Sequence, residues 1–122
     1  MKLMSVALTE AAVRERRKTV TRRLGWWVDK NGRQLLKRGD RLTLCRKVMG
    51  RKPGEPLVRI CDVEVVGVTR VVLSHIDGED VVREGFEHGD SGEFVAMFVR
   101  EMKCRPSDYV TRIEWRYLDE TA

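Results

Sequence analysis

Residues 16–23 read Arg16-Arg17-Lys18-Thr19-Val20-Thr21-Arg22-Arg23, and with Arg14 just upstream they carry six cations against a single acid, Glu15. Cations at this density suit phosphate contacts, which supply sequence-independent affinity with a strong salt dependence. Thr19 and Thr21 lie inside the cluster, where their hydroxyls can bond phosphate, sugar or base edges. Trp26 and Trp27 follow at once, and an indole beside a basic groove can stack a base for ~1–3 kcal/mol. Adjacent tryptophans cannot both face inward from a strand, so one is expected in the core and the other at a surface or pocket rim. The competing reading of the cluster is a solvated helix face followed by a basic turn.

The asymmetry extends beyond this stretch. Residues 1–52 hold 16 Lys and Arg against 4 Asp and Glu, whereas residues 53–122 hold 8 against 15, leaving +5 overall. One face is expected to attract polyanions and another to repel them, unless the two halves neutralise each other across the fold. With 122 residues, 42% hydrophobic and 35% charged, the chain has the size and composition of one globular domain, taken as residues 1–122. No apolar run approaches the ~18 residues of a membrane span. The opening MKLMSVALTEAAV turns acidic too soon for a signal peptide, so the protein is expected to stay where it is made, in the cytoplasm. Cys45, Cys61 and Cys104 are odd in number and lack a C-x-x-C pair, which argues against a disulfide framework or a standard zinc site. No metal and no cofactor is expected.

Upstream of the basic stretch, Met4 to Leu8 suits a short strand. Thr9 is a plausible N-cap for a helix over Glu10–Arg17, with Leu8, Ala12 and Val13 on its inner side. Downstream, a loop with turns at Asn31-Gly32 and Gly39-Asp40 leads to a strand from Arg41 to Val48. Pro53, Gly54 and Pro56 mark a turn. Leu57 to Leu73 is rich in β-branched residues and predicts two strands, broken or bulged near Gly67. A short helix is expected over Glu79–Phe86. A longer one begins at Asp90-Ser91-Gly92-Glu93, which has capping-box spacing, and Phe94, Phe98 and Met102 share one of its faces with Val95 and Val99 alongside. Tyr109, Thr111, Ile113, Trp115 and Tyr117 alternate with Val110, Arg112, Glu114, Arg116 and Leu118, the pattern of a strand. These elements predict an α+β fold, a small curled sheet or barrel of mixed or antiparallel pairing with two to three short helices around it. The connections between Arg41 and Leu73 are too short for helical crossovers.

The basic stretch resembles the G-x-K-x-x-T-x-R signature of the ASCH domain, a relative of the PUA domain. Three further segments, in the family's order, carry the same resemblance. Leu36-Lys37-Arg38-Gly39-Asp40-Arg41-Leu42 is similar to its Gly-Asp loop before a strand. Arg83-Glu84-Gly85-Phe86 is similar to its Glu-Gly-Phe helix, and Val110–Leu118 to its closing aromatic strand. Arg16 stands at the family's leading glycine, where an arginine is expected to disallow an unusual backbone angle.

The resemblance implies a PUA-like β-barrel with a cleft between barrel and helices, in domains thought to bind RNA. On that reading Arg17, Lys18, Arg22 and Arg23 hold phosphate or base edges at the cleft mouth, with Trp26 or Trp27 beside it. The ligand is RNA, another nucleic acid or a nucleoside, with no membrane as partner. Some small ASCH proteins are enzymes, either amidohydrolases of acetylcytidine or ribonucleases. In the amidohydrolases a lysine, a threonine and a glutamate form the site, and their positions correspond here to Lys18, Thr21 and Glu84. Thr21 would be the nucleophile and Lys18 its base if burial or neighbouring cations kept the amine neutral, while Glu84 would pass a proton to the leaving amine. The alternative is an ion pair of Lys18 and Glu84 closing the cleft. His75, His88 and the Asp77-Gly78-Glu79-Asp80 run are read as solvated or capping groups.

Overall fold

A computed structural model describes residues 2–118. Five strands, β1 (Lys2–Ser5), β2 (Val20–Leu24), β3 (Arg41–Cys45), β4 (Arg59–Val72) and β5 (Tyr109–Tyr117), form one sheet in the order β1-β3-β4-β5-β2. Three helices accompany it: α1 (Glu10–Arg14), α2 (Gly78–Arg83) and α3 (Ser91–Met102). The sheet is mixed. β1 runs parallel to β3, and every other pair is antiparallel. A parallel neighbour needs a long crossover, and residues 6–40 supply one. The sheet curls into a half-barrel with the α+β character expected from the sequence.

The curl originates in β4. Its first residues pair with β3 and its later ones with β5, and the register shifts between Val65 and Gly67. An extra residue at such a bulge bends and twists the strand. The predicted pair of strands is therefore one bent strand. The Gly39-Asp40 turn docks on it: Gly39, at φ 94°, donates its N–H to the Val65 carbonyl at 2.8 Å, and Val65 N–H returns to the Asp40 carbonyl at 2.8 Å. At the open side of the half-barrel, Arg23 of edge strand β2 donates from Nη2 to the Ser5 carbonyl of edge strand β1 at 2.7 Å.

Two cores share β5. Ile113 and Trp115 pack with Met4, Val13, Leu36, Leu42, Leu44 and Val63 inside the curl. Val110, on the opposite face, packs with Leu73, Ile76, Val81, Phe94 and Phe98 beneath the helices. Each fully buried aliphatic side chain contributes about 1.5–3 kcal/mol, so both faces of β5 are anchored. The period-two alternation of the sequence meets a buried partner on each side.

Several boundaries move. The first strand occupies Lys2–Ser5, earlier than Met4–Leu8, and Leu8 is 78% exposed in the turn that follows, not on an inner face. Thr9 stands at the N-cap position without a side-chain bond, and α1 ends at Arg14. The reason for that early end is local: Arg16 turns left-handed, at φ 64°. Asp90 caps α3 as predicted, accepting from the Glu93 N–H at 3.0 Å, whereas Met102 at the far end is 44% exposed.

Candidate functional site

The backbone around Lys18 is held from two sides. Arg17 and Lys18 N–H groups both bond the Ala12 carbonyl at the end of α1, and Thr19 N–H bonds the Arg83 carbonyl at 2.9 Å. The Lys18 carbonyl accepts from Trp115 Nε1 at 3.1 Å and from the Tyr117 hydroxyl. The aromatic residues of β5 thus orient the peptide that carries the lysine. From there the side chain runs inward, and Lys18 is only 3% exposed.

Its partner comes from the end of α2. Lys18 Nζ donates to the Glu84 carbonyl at 2.7 Å and lies 3.4 Å from Glu84 Oε1. The other carboxylate oxygen of Glu84 takes Arg22 Nη1 at 3.0 Å, and Arg22 Nη2 lies 2.6 Å from Asp80 Oδ2. Asp80 is gripped in turn by both arms of Arg112, at 2.9 Å each. The result is a buried chain of alternating charge: Lys18, Glu84, Arg22, Asp80, Arg112. Spacing explains its origin. Asp80 and Glu84 are four residues apart along α2 and its C-cap and so share one side, while the cations come from β2, from Lys18 just ahead of it, and from β5.

Burial pushes the Lys18 amine down from its ordinary value to about 8, Glu84 pulls it back up, and Arg23 and Arg22 lower it further. Near neutrality this lysine is therefore mostly protonated, with a minor neutral fraction that an ordinary lysine lacks. The Asp80 carboxyl is held well below the usual range, chiefly by the Arg112 hydrogen bonds, with Arg22 adding to the effect against the opposing pull of burial.

These groups floor a cleft of about 190 Å³ between the β1 end, β2, the α2 end and α3. Lys18, Thr21, Arg22, Arg23 and Glu84 supply the polar side, and Phe86, Phe94, Met97 and Phe98 an apolar wall. Thr21 is buried, and no side-chain hydrogen bond occupies its hydroxyl among the described residues. Arg22 Nε and Arg23 Nε are both buried with no hydrogen-bond partner.

The structure brings together Lys18, Thr21 and Glu84, along with Arg22 and Arg23, but it rearranges their expected environment. Lys18 and Arg22 form the neutralised floor, not a ring of free cations at the mouth, because Glu84 and Asp80 are buried against them. Arg17 is exposed and paired with Glu15 at 2.7 Å. Trp26 and Trp27 are both half-buried and neither lines the cleft. Trp27 packs against the core inside the curl. The predicted Lys18–Glu84 ion pair is present.

Two groups were missed by the sequence reading. Asp80 does not serve solubility; Asp77 caps α2 by accepting from the Asp80 N–H at 2.8 Å, while the Asp80 side chain enters the charge chain. Its signal was the i, i+4 spacing to Glu84. Arg112, placed by the alternation on the strand's second face and given no partner there, holds Asp80. Among the described residues no cluster of His, Cys, Asp and Glu could hold a metal ion, and no helix is long and apolar enough to cross a membrane.

No protein-family model and no curated protein matches the sequence. The fold is similar to that of two solved structures. One is the ASCH domain from Lactobacillus crispatus JV V101, at 13% identity and a TM-score of 0.66, with 95% of this chain and 78% of that one covered. The other is a DUF984 protein from Enterococcus faecalis V583, at 13% identity and a TM-score of 0.62, covering 92% and 72%. At this identity the likeness establishes the fold.

Proposed function

On the ASCH-domain fold that this chain carries, we propose that the cleft binds a single nucleobase, presented by RNA or by a free nucleoside. The observation that carries this reading is unspent polar capacity in the cleft lining: the Thr21 hydroxyl has no side-chain hydrogen bond, and Arg22 and Arg23, whose Nε–H groups have no acceptor, line the same space. Buried polar groups are nearly always satisfied, so donor capacity left over in the lining of a cleft suits a polar-edged ligand. The composition of the cleft supports an aromatic, polar-edged ligand. Phe86, Phe94 and Phe98 offer apolar surface to a ring face, while Arg22, Arg23, Thr21 and Glu84 offer donors and acceptors to its edge. A volume of 190 Å³ equals the space of about six waters at ~30 Å³ each, which suits one ring system and not a stack of bases.

The test is calorimetric titration of nucleosides, acetylcytidine among them, and of short single-stranded RNA. Arg22→Gln and Arg23→Gln are expected to weaken binding at least tenfold each, the loss typical of a charge-assisted bond. Unchanged affinity in both variants would sink the assignment of the cleft.

A second reading, hydrolysis of an acyl amide on such a base, is favoured by the lowered proton affinity of Lys18 in the same cleft as a Thr21 hydroxyl with no side-chain hydrogen bond. In that reaction Thr21 Oγ bonds to the acyl carbon as its proton passes to the Lys18 amine. The proton moves through Glu84 to the departing nitrogen as the C–N bond breaks, and water then cleaves the acyl ester on Thr21. Thr21→Ala and Glu84→Gln are each expected to abolish release of acetate from acetylcytidine while far-UV circular dichroism stays unchanged. Turnover surviving both changes would exclude the mechanism.

A further inference from the structure

A second cavity adjoins the cleft. It is an apolar groove of about 630 Å³ lined by Leu3, Trp27, Leu35, Val48 and Met49. Ser5 and Arg23 line both spaces, so the Arg23–Ser5 hydrogen bond at 2.7 Å forms part of the wall they share. Arg23 is distinctive among the cleft cations. Lys18 and Arg22 sit against carboxylates, whereas among the described residues no carboxylate lies within ion-pair distance of Arg23, and its Nε has no partner. A half-buried guanidinium with donor capacity left over, placed between two cavities, is suited to an anion that spans them.

The groove itself points to the same ligand. Leu35 and Met49 leave apolar surface open to solvent, at 47% and 85% exposure. Its only charged lining groups among the described residues are the cations Lys2 and Arg23. Apolar and aromatic surface bounded by cations complements a flat ring attached to a phosphate, and an acidic or purely aliphatic segment would leave one of those features unused.

We propose that cleft and groove form one site for a dinucleotide step of single-stranded nucleic acid. One base enters the cleft, the linking phosphate meets Arg23, and the flanking base lies against Trp27 in the groove. This rests on the nucleobase reading of the cleft and narrows it: the preferred ligand is a base with a neighbour, not an isolated nucleoside.

The experiment compares affinities of the full chain for the four ribonucleosides, their 3′-monophosphates and the ribodinucleotides that place adenosine after each. The dinucleotide of the best-bound base is expected to bind about tenfold more tightly than its monophosphate, in line with one stacked base. Trp27→Leu is expected to bring that ratio close to one. Because Trp27 also packs against the core, Met49→Glu provides an independent probe: this side chain is exposed, and the new carboxylate would oppose the ligand within the groove. A nucleoside or monophosphate that binds with no gain from the second nucleotide overturns this inference and leaves the cleft reading standing. So does a gain that survives both variants. Absence of binding by all three ligand classes overturns both proposals.

Discussion

Lys18 and Glu84 meet twice across 66 residues of sequence, the ammonium donating to the glutamate carbonyl at 2.7 Å and facing its carboxylate at 3.4 Å. The double contact ties the segment that leads into β2 to the end of α2 and sets the floor of the cleft. Among the described residues Glu84 is the one carboxylate in ion-pair contact with the buried lysine, and Arg22 shares it.

The pH dependence follows from that burial. Lys18 holds its proton to about pH 8 in the folded chain, against ~10.4 for an unperturbed lysine in the unfolded one. Below about 8 both states are protonated, and the cost of burying the charge is present in full. Between the two values the unfolded chain binds more protons than the folded one, so this group makes stability rise with pH. Urea midpoints for the wild type and Lys18→Met at pH 7 and pH 9.5 isolate the effect. The wild type should gain on the variant at the higher pH; parallel shifts would contradict the assignment.

Asp80 behaves in the opposite sense. Its carboxyl is held low, so its contribution is present above the ordinary carboxylate range and fades as pH falls toward the folded value. Asp80→Asn leaves Arg22 and Arg112 without their shared anion, which should cost about 3–5 kcal/mol at neutral pH and flatten the acid side of the stability profile. Denaturant unfolding at pH 7 measures the first, and a series carried from about pH 5 down to about pH 2 measures the second. A loss below ~1 kcal/mol would mean that the charge chain is replaceable by water.

Gly85 is the one position in the Glu84-Gly85-Phe86 turn where a side chain cannot fit. It sits at φ 109°, and a Cβ there would approach the Ala12 Cβ to 2.9 Å. Gly85→Ala should therefore destabilise by about 1–3 kcal/mol through overpacking and backbone strain together. In the Gly85→Ala, Ala12→Gly double variant the closest contact is gone while the 3.3 Å approach to Thr9 and the backbone strain remain, so the double variant should cost less than the sum of the two single ones. Strict additivity would show that α1 and the turn do not press on one another.

Arg16 adopts the left-handed backbone, at φ 64°, that the resemblance assigns to a glycine, so arginine does not disallow it here. The ~1–2 kcal/mol cost is offset by side-chain contacts a glycine would lack. Nη1 donates to the Val13 carbonyl at 2.8 Å, and the guanidinium lies 4.9 Å from the Tyr117 ring centre. Arg16→Gly should accordingly change stability by less than ~1 kcal/mol. Arg16→Val keeps the strain, loses the contacts and adds a β-branch, so it should lower the thermal midpoint more than Arg16→Gly does. Equal midpoints would refute the backbone argument.

What the sequence determined by itself is what short-range physics controls. The alternation over Tyr109–Tyr117 specifies a strand with two buried faces, the Asp90 cap starts α3, and the Gly39-Asp40 turn feeds β3. That Lys18, Thr21 and Glu84 line one cleft spans 66 residues of sequence and belongs to the fold. The tertiary structure decided the rest. It turned Lys18 and Arg22 from expected mouth cations into a buried floor by bringing Glu84 and Asp80 against them, and it gave Asp80 a partner in Arg112. It set β1 parallel to β3 and put Trp27 beside a different cavity, with Arg23 in the wall between. Periods, caps and turns depend on neighbours a few residues away and are written in the chain. Whether a cation is free or neutralised depends on desolvation and on charges that arrive from distant segments, which only the assembled fold brings within a few ångströms.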